Sequence, residues 1–223
     1  MVSYIGELTE ECRRRMCEVL SLYGRPYIPT EPVICMDETS KQLLRETRCP
    51  LPTTPGVPLR QDCERTGTCN IFIAVEPLGK WRHVQKIERR TTEDFVGFVC
   101  RMQRRAYSEV GKVHLVLDNF NTHLHSSFQE VLGREAAASV RRRIEFHYTR
   151  VYPSWLNTAE IEIGIFERQR LTRCAADQAT LTAEVAAWQR RRGPIRHRVG
   201  IHAQRRGSGA ASRLCVVINV TSY

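Results

Sequence analysis

Two short apolar runs of the sequence each close on an aspartate, VICMD at Asp37 and HLVLD at Asp118. Runs of this length and composition are strand-like, so both acids stand where a core strand leaves the interior. Side by side in one sheet, two bare carboxylates repel, and each resists ionisation. A divalent cation relieves that repulsion, and hard oxygen donors are what magnesium prefers. A third carboxylate from a helix, Glu160 or Glu162 in SWLNTAEIEIGIF, would complete an acidic triad. Such a set can hold two ions about 3.5–4 Å apart, which activate a nucleophile and steady the leaving oxygen of a phosphodiester. Spacing alone does not choose between the two glutamates. Asn119, Asn121 and His123 follow Asp118 directly and suit a helix cap or an Asx turn. Asn119 and His123 also stand where they could hold the Asp118 carboxylate or touch a phosphate, Asn157 could contact metal-bound water, and Lys41 and Arg45 could face DNA.

The elements around these residues read as an ordered series. Residues 7–23 alternate apolar and charged groups as an amphipathic helix does. VICMDE follows as a strand, and the proline-rich stretch 49–67 reads as a long loop. CNIFIAVEP and WRHVQKIER flank a turn containing Gly79 and predict an antiparallel hairpin. Thr91 and Thr92, followed by Glu93 and Asp94, mark a helix start. KVHLVLD and RIEFHYT are strands, with one helix expected over 124–142 between them. SWLNTAEIEIGIFERQRL is a helix with Ser154 as its expected N-cap, and TLTAEVAAWQRRR another, with Leu181, Val185 and Trp188 on one face. This order predicts an α/β fold, a mixed sheet flanked by helices.

The 223 residues carry 34 Lys and Arg against 24 Asp and Glu, a formal charge of +10. Arginine clusters at 104–105, 141–143, 190–192 and 205–206 supply much of the excess. Arginine's planar fork grips phosphate oxygens in pairs, so nucleic acid is the leading partner; the 141–143 run equally suits a helix C-terminus. The nine cysteines include no Cys-x-x-Cys pair, which argues against a disulfide framework and a zinc ribbon alike. The N-terminus does not read as a signal peptide and no run is long enough to span a membrane, so a cytoplasmic protein is expected.

MDETSKQL with Asp37, LVLDNFNTH with Asp118 and HYTRVYPSWLNTAEIE with Glu160 resemble the three catalytic blocks of the mariner-like bacterial insertion-sequence transposases. The similarity runs from about residue 15 to 192 and includes ETRCPLPTTPGVP and EPLGKWRHV. It implies an RNase H-like fold of the retroviral integrase superfamily, with a sheet of about five strands, and a D-D-E triad that binds magnesium or manganese. Carried over by position, the catalytic and metal-binding residues are Asp37, Asp118 and Glu160, which decides against Glu162. The reaction implied is metal-dependent DNA cleavage and strand transfer in transposition. DNA is the implied partner, and there is room for a homodimer.

Three departures accompany the resemblance. Residues 1–32 offer one helix and a linker where the family carries helix-turn-helix segments, so a truncated protein is expected. RVYPSWLN replaces the family's Pro-Lys-His-Gly-like run, removing a basic residue and a glycine. An inactive relic that binds nucleic acid non-specifically is therefore the alternative. The catalytic domain is expected over 33–192, with a non-family tail over 193–223 that lacks Asp, Glu and Lys. The family continues with a segment like Trp-x-Phe-Thr-x-x-Asp-Ala-Arg. Codons for Val199–Gly207 can be chosen so that reading one base later spells Trp-Ala-Phe-Thr-Arg-Lys-Asp-Ala. This predicts a frameshift between about Gln189 and Arg198 and a poorly ordered tail, in which LCVVINV could form a stray strand.

Overall fold

The computed structural model describes residues 9–47, 63–79, 81–118, 124–149, 156–171, 175–192, 197–206 and 213–222. Helix α1 (Glu10–Tyr23) leads into strand β1 (Val33–Glu46), followed by β2 (Cys63–Val75), β3 (Arg82–Ile87) and helix α2 (Thr92–Ala106). Strand β4 (Val113–Asp118), helices α3 (Leu124–Leu132) and α4 (Arg134–Arg143), strand β5 (Ile144–Thr149) and helix α5 (Thr158–Phe166) come next. A π-helical turn, Glu167–Leu171, extends α5, and helix α6 (Gln178–Arg192) follows.

The five strands form one mixed sheet in the order β3-β2-β1-β4-β5. β1 pairs antiparallel with β2 and parallel with β4, so it lies at the centre. Strand alternation divides the core in two. Ile34, Met36, Phe72, Ala74, Leu115 and Leu117 pack beneath α2 and α3 with Val96, Phe98, Val99 and Phe128. On the other face, Val33, Cys35, Val75 and Val116 meet Met16 and Val19 of α1 and Leu156 and Ala159 at the start of α5. Ile71, Ile73 and Val84 meet Phe166, Leu181, Val185 and Trp188, the stripe expected on the last helix. Both faces of the sheet are thus covered, the architecture expected of an α/β fold.

Local chemistry explains several boundaries. Thr91 caps α2: its Oγ1 accepts from Asp94 N at 3.2 Å, and Asp94 Oδ2 accepts from Thr91 N at 3.3 Å, a reciprocal capping box. Gly133, at φ 79°, breaks the single helix expected over 124–142 into α3 and α4; this left-handed conformation is cheap for glycine. Arg141, Arg142 and Arg143 fill the last turn of α4, where cations complement the helix dipole. Arg143 also donates to the carbonyls of Tyr107 and Val110, at 3.0 and 2.9 Å, holding the α2–β4 connection. A Cβ on Gly79, in the β2–β3 turn, would collide with the Glu76 carboxyl.

Three local expectations are corrected. β1 does not end at Asp37 but continues antiparallel to β2 as far as Glu46, past an irregularity at Leu43–Leu44. Residues 63–67, expected in the long loop, belong to β2 because they complete that ladder; residues 48–62 lie outside the described residues. The cap of α5 is Asn157, whose side chain accepts from Ala159 N at 3.2 Å; Ser154 lies outside the described residues. In the tail, β6 (His197–Arg206) and β7 (Arg213–Ser222) pair antiparallel as a two-stranded sheet of their own. LCVVINV falls within β7. Among the described residues no helix is long and apolar enough to cross a membrane.

Candidate active site

The centre of the sheet brings Asp37 and Asp118 together. The parallel ladder of β1 and β4 ends at Met36 opposite Leu117, so Asp37 and Asp118 are the next residues on adjacent strands. Asp37 continues the alternation of Val33 and Cys35, and Asp118 that of Val116. Both therefore fall on the face that α5 covers.

Helix α5 is fixed to that face at its first residue. Asn157 is fully buried, and its Nδ2 donates to the Met36 carbonyl at 2.9 Å, immediately before Asp37. One side chain thus caps α5 and binds the backbone that presents Asp37. Tyr23 adds a second tie: its hydroxyl donates to the Leu156 carbonyl at 2.7 Å and lies 2.9 Å from Cys35 Sγ. Leu156 itself is fully buried, as expected of an anchor.

Successive helix residues turn by about 100°, so Glu160 and Glu162 project in nearly opposite directions. Glu162 is 3% exposed and pairs with the equally buried Arg82 of β3, Oε1 to Nε 3.3 Å. Glu160 is half-buried, and its charge acts on Asp37. The two glutamates therefore diverge: Glu162 is committed to a structural ion pair, and the charge of Glu160 acts on Asp37.

The electrostatics carry the signature of that grouping. Asp37 is pushed up from the usual carboxylate range to about 7, first by burial and then by the charges of Glu160, Asp118 and Glu38; a hydrogen bond from Glu38 N at 2.8 Å opposes the shift. Asp37 and Asp118 also line a cleft of about 320 Å³ whose other walls include Phe95, Thr91, Thr92 and Ser127. Arg90 stands on its rim and forms an ion pair with Glu38.

The remaining sequence candidates separate. Asn119 and His123 lie outside the described residues. Asn157 touches backbone in the interior, which excludes a DNA contact for its side chain. Lys41 and Arg45, the candidates to face DNA, are strand residues of β1, half-buried and exposed respectively. Cys12, Cys35, Cys69 and Cys100 are buried free thiols, as a scattered set of cysteines predicts. The Glu38–Arg90 pair and the Arg82–Glu162 pair were not anticipated; for the latter, an arginine in the apolar-alternating WRHVQKI was the available signal, since a buried guanidinium requires an acid.

The class these features define is a mixed five-stranded α/β sheet with Asp37 within β1 beside Asp118 at the end of the parallel strand β4, and with α5, which carries Glu160, laid across that face. Residues 32–182 match the family described as DDE superfamily endonuclease, and the chain belongs to that family. No curated protein sequence matches it significantly. Among solved structures, the Mos1 mariner paired-end complex with manganese is similar at 16% identity and a TM-score of 0.54, over 83% of this chain and 57% of that one. The Mos1 strand transfer complex is similar at 16% identity and a TM-score of 0.52, over 84% and 58%. The Mos1 paired-end complex with magnesium gives 16% and 0.51, over 84% and 59%. At this identity the likeness establishes the RNase H-like fold, and the chain spans less than two thirds of the length of these structures.

Proposed function

We propose that this chain is a transposase catalytic domain that cleaves and rejoins DNA strands, with Asp37, Asp118 and Glu160 as its catalytic and metal-binding residues. The observation that carries the reading is the adjacency of Asp37 and Asp118 on the parallel strands β1 and β4, with Glu160 among the charges that act on Asp37. The donor set is all oxygen, the kind that magnesium and manganese prefer, and a cation would offset the charges that, after burial, raise the pKa of Asp37. The Mos1 structures with manganese and magnesium support the same choice of ion. A divalent ion bound there would polarise a phosphate oxygen and lower the pKa of an attacking water or 3′-hydroxyl.

The chain's own residues do the positioning. Asn157 and Tyr23 hold the start of α5, the helix that carries Glu160, against β1. The cleft admits a strand beside Asp37 and Asp118, with Arg90 on its rim for the backbone phosphates. The net charge of +10 supplies sequence-independent attraction to DNA, steeply weakened by salt. A homodimer, which would bring two cleavage sites to two DNA ends, belongs to the same proposal.

Plasmid nicking tests it. Supercoiled DNA should be nicked with magnesium or manganese and left intact in EDTA. Asp118→Asn should lose nicking yet bind DNA with unchanged salt dependence. Equal nicking by the variant would exclude the mechanism, while absence of nicking by both, with metal binding also absent, would identify an inactive relic.

A further inference from the structure

The far end of β4 holds a second polar cluster that the nuclease reading does not use. His114 and Asp118 are four residues apart on one strand, about 13 Å at 3.3 Å per residue. His114, 5% exposed, and His147 of β5, 4% exposed, face each other with His114 Nδ1 3.0 Å from His147 Nε2. Glu145 Oε2 lies 3.8 Å from His114 Nδ1, and its Oε1 lies 3.9 Å from His147 Nε2. Among the described residues these are the three His, Cys, Asp or Glu ligand atoms that lie within 4.8 Å of one another. Behind the histidines stand two further carboxylates. Glu18 of α1 accepts from His147 Nδ1 at 2.6 Å, and Glu31 Oε2 lies 3.9 Å from His114 Nε2.

The proton count exposes a defect in this arrangement without a cation. With both imidazoles neutral, Glu18 accepts the proton on His147 Nδ1, leaving Nε2 as a lone pair. His114 must then donate from Nδ1 to that lone pair. Its Nε2 is left buried, without a proton and without a hydrogen-bond partner, and it faces a carboxylate, which offers no donor.

We propose that His114 Nδ1, His147 Nε2 and the Glu145 carboxylate form a binding site for a transition-metal cation, zinc by donor set, that pins α1 and the Glu31 segment to β4 and β5. In place of the shared proton, the cation takes both facing lone pairs. The His114 proton then moves to Nε2, where it points at Glu31 and removes the defect. Each ligating imidazole is then backed by a carboxylate, the arrangement that orients histidines on zinc. Zinc–nitrogen bonds of about 2.0–2.1 Å in tetrahedral geometry separate two ligands by about 3.3–3.4 Å, so the histidines open by a few tenths of an ångström and Glu145 closes by about half an ångström. Two histidines and a carboxylate leave the fourth position for water. Glu145 must exchange its contact with Lys112 Nζ at 3.1 Å, a weak, half-exposed pair. Half-exposed Glu31 and Glu145 give the ion its path inward.

The test uses the full chain, stripped with EDTA and titrated with cobalt and then zinc. One equivalent of cobalt should give the visible bands of a four-coordinate nitrogen and oxygen site, and zinc should displace it and raise the Tm. His147→Gln should abolish both effects, and the Asp37→Asn, Asp118→Asn double variant should keep them. Glu145→Gln, at a half-exposed position where folding is not at stake, should weaken cobalt binding at least tenfold. Unchanged binding in Glu145→Gln, an intense thiolate-to-cobalt band, or loss of binding in the aspartate variant instead would overturn the site. The outcome is independent of nicking.

Discussion

Two carboxylates on one helix, Glu160 and Glu162, met opposite fates, and the regions they entered differ in what charge is for. Below α5, Glu162 and Arg82 cancel one another in a nearly dry layer. Where β1 runs beside the end of β4, burial and then the charges of Glu160, Asp118 and Glu38 act on one carboxyl, and Asp37 bears the cost in a pKa of about 7. The same helix thus carries one acid into a buried ion pair and sets another where its charge raises the pKa of a neighbour. Strain of this electrostatic kind points to function where the neutralised pair points only to architecture.

The comparison predicts contrasting variants. The largest effect should be on chemistry: Asp118→Asn should lower metal-dependent nicking on the order of 10³-fold, because several kcal/mol of cation-mediated stabilisation are lost at 1.36 kcal/mol per tenfold, while the Tm stays within a few degrees. Next is stability: Arg82→Met should cost about 3–5 kcal/mol by stranding buried Glu162, measured by urea unfolding, whereas Glu160→Gln should cost little or be stabilising. Equal losses in the two would erase the distinction between the regions.

The third concerns pH. Because the folded state raises the pKa of Asp37, it binds a proton there that the unfolded chain has released, so stability should fall from about pH 4 to pH 7 and then level. In EDTA, Asp37→Asn should therefore be more stable than the parent at pH 8, on the order of 2–4 kcal/mol, and nearly equal to it at pH 4. Magnesium should close that gap by stabilising the parent above pH 7; a parent stability independent of pH across this window would refute the coupling. The smallest effect belongs to Asn157→Ala, which removes a cap and a buried hydrogen bond to Met36 at about 1–3 kcal/mol. It should lower nicking more than its stability loss explains, since Glu160 is no longer held over β1.

Periodicity made most of this legible. The hairpin, the strands carrying the acids and the Leu181–Val185–Trp188 face follow from local pattern, and the three blocks point to the family. What pattern did not carry was non-local or conformational. β1 runs past Asp37 because β2, some 30 residues on, supplies a ladder for it. Gly133 breaks a periodic helix through a backbone angle that apolar spacing does not encode. The cap of α5 is Asn157 because Met36 offers it a second partner from 121 positions away. The burial of Glu162 depended on an arginine in a hairpin that no helical count includes.

The ties that Asn157 and Tyr23 make to the start of α5 also set a timetable. Tyr23 is bound to a carbonyl 133 positions later, and Met36 to a side chain 121 positions later. On the ribosome, both aspartates emerge long before Glu160, and the strands carrying them can pair while the third acid is still unmade. A nascent or prematurely terminated chain ending before Leu156 therefore folds toward a sheet with neither tie in place. Both ties arrive with one late helix, after the sheet that receives them.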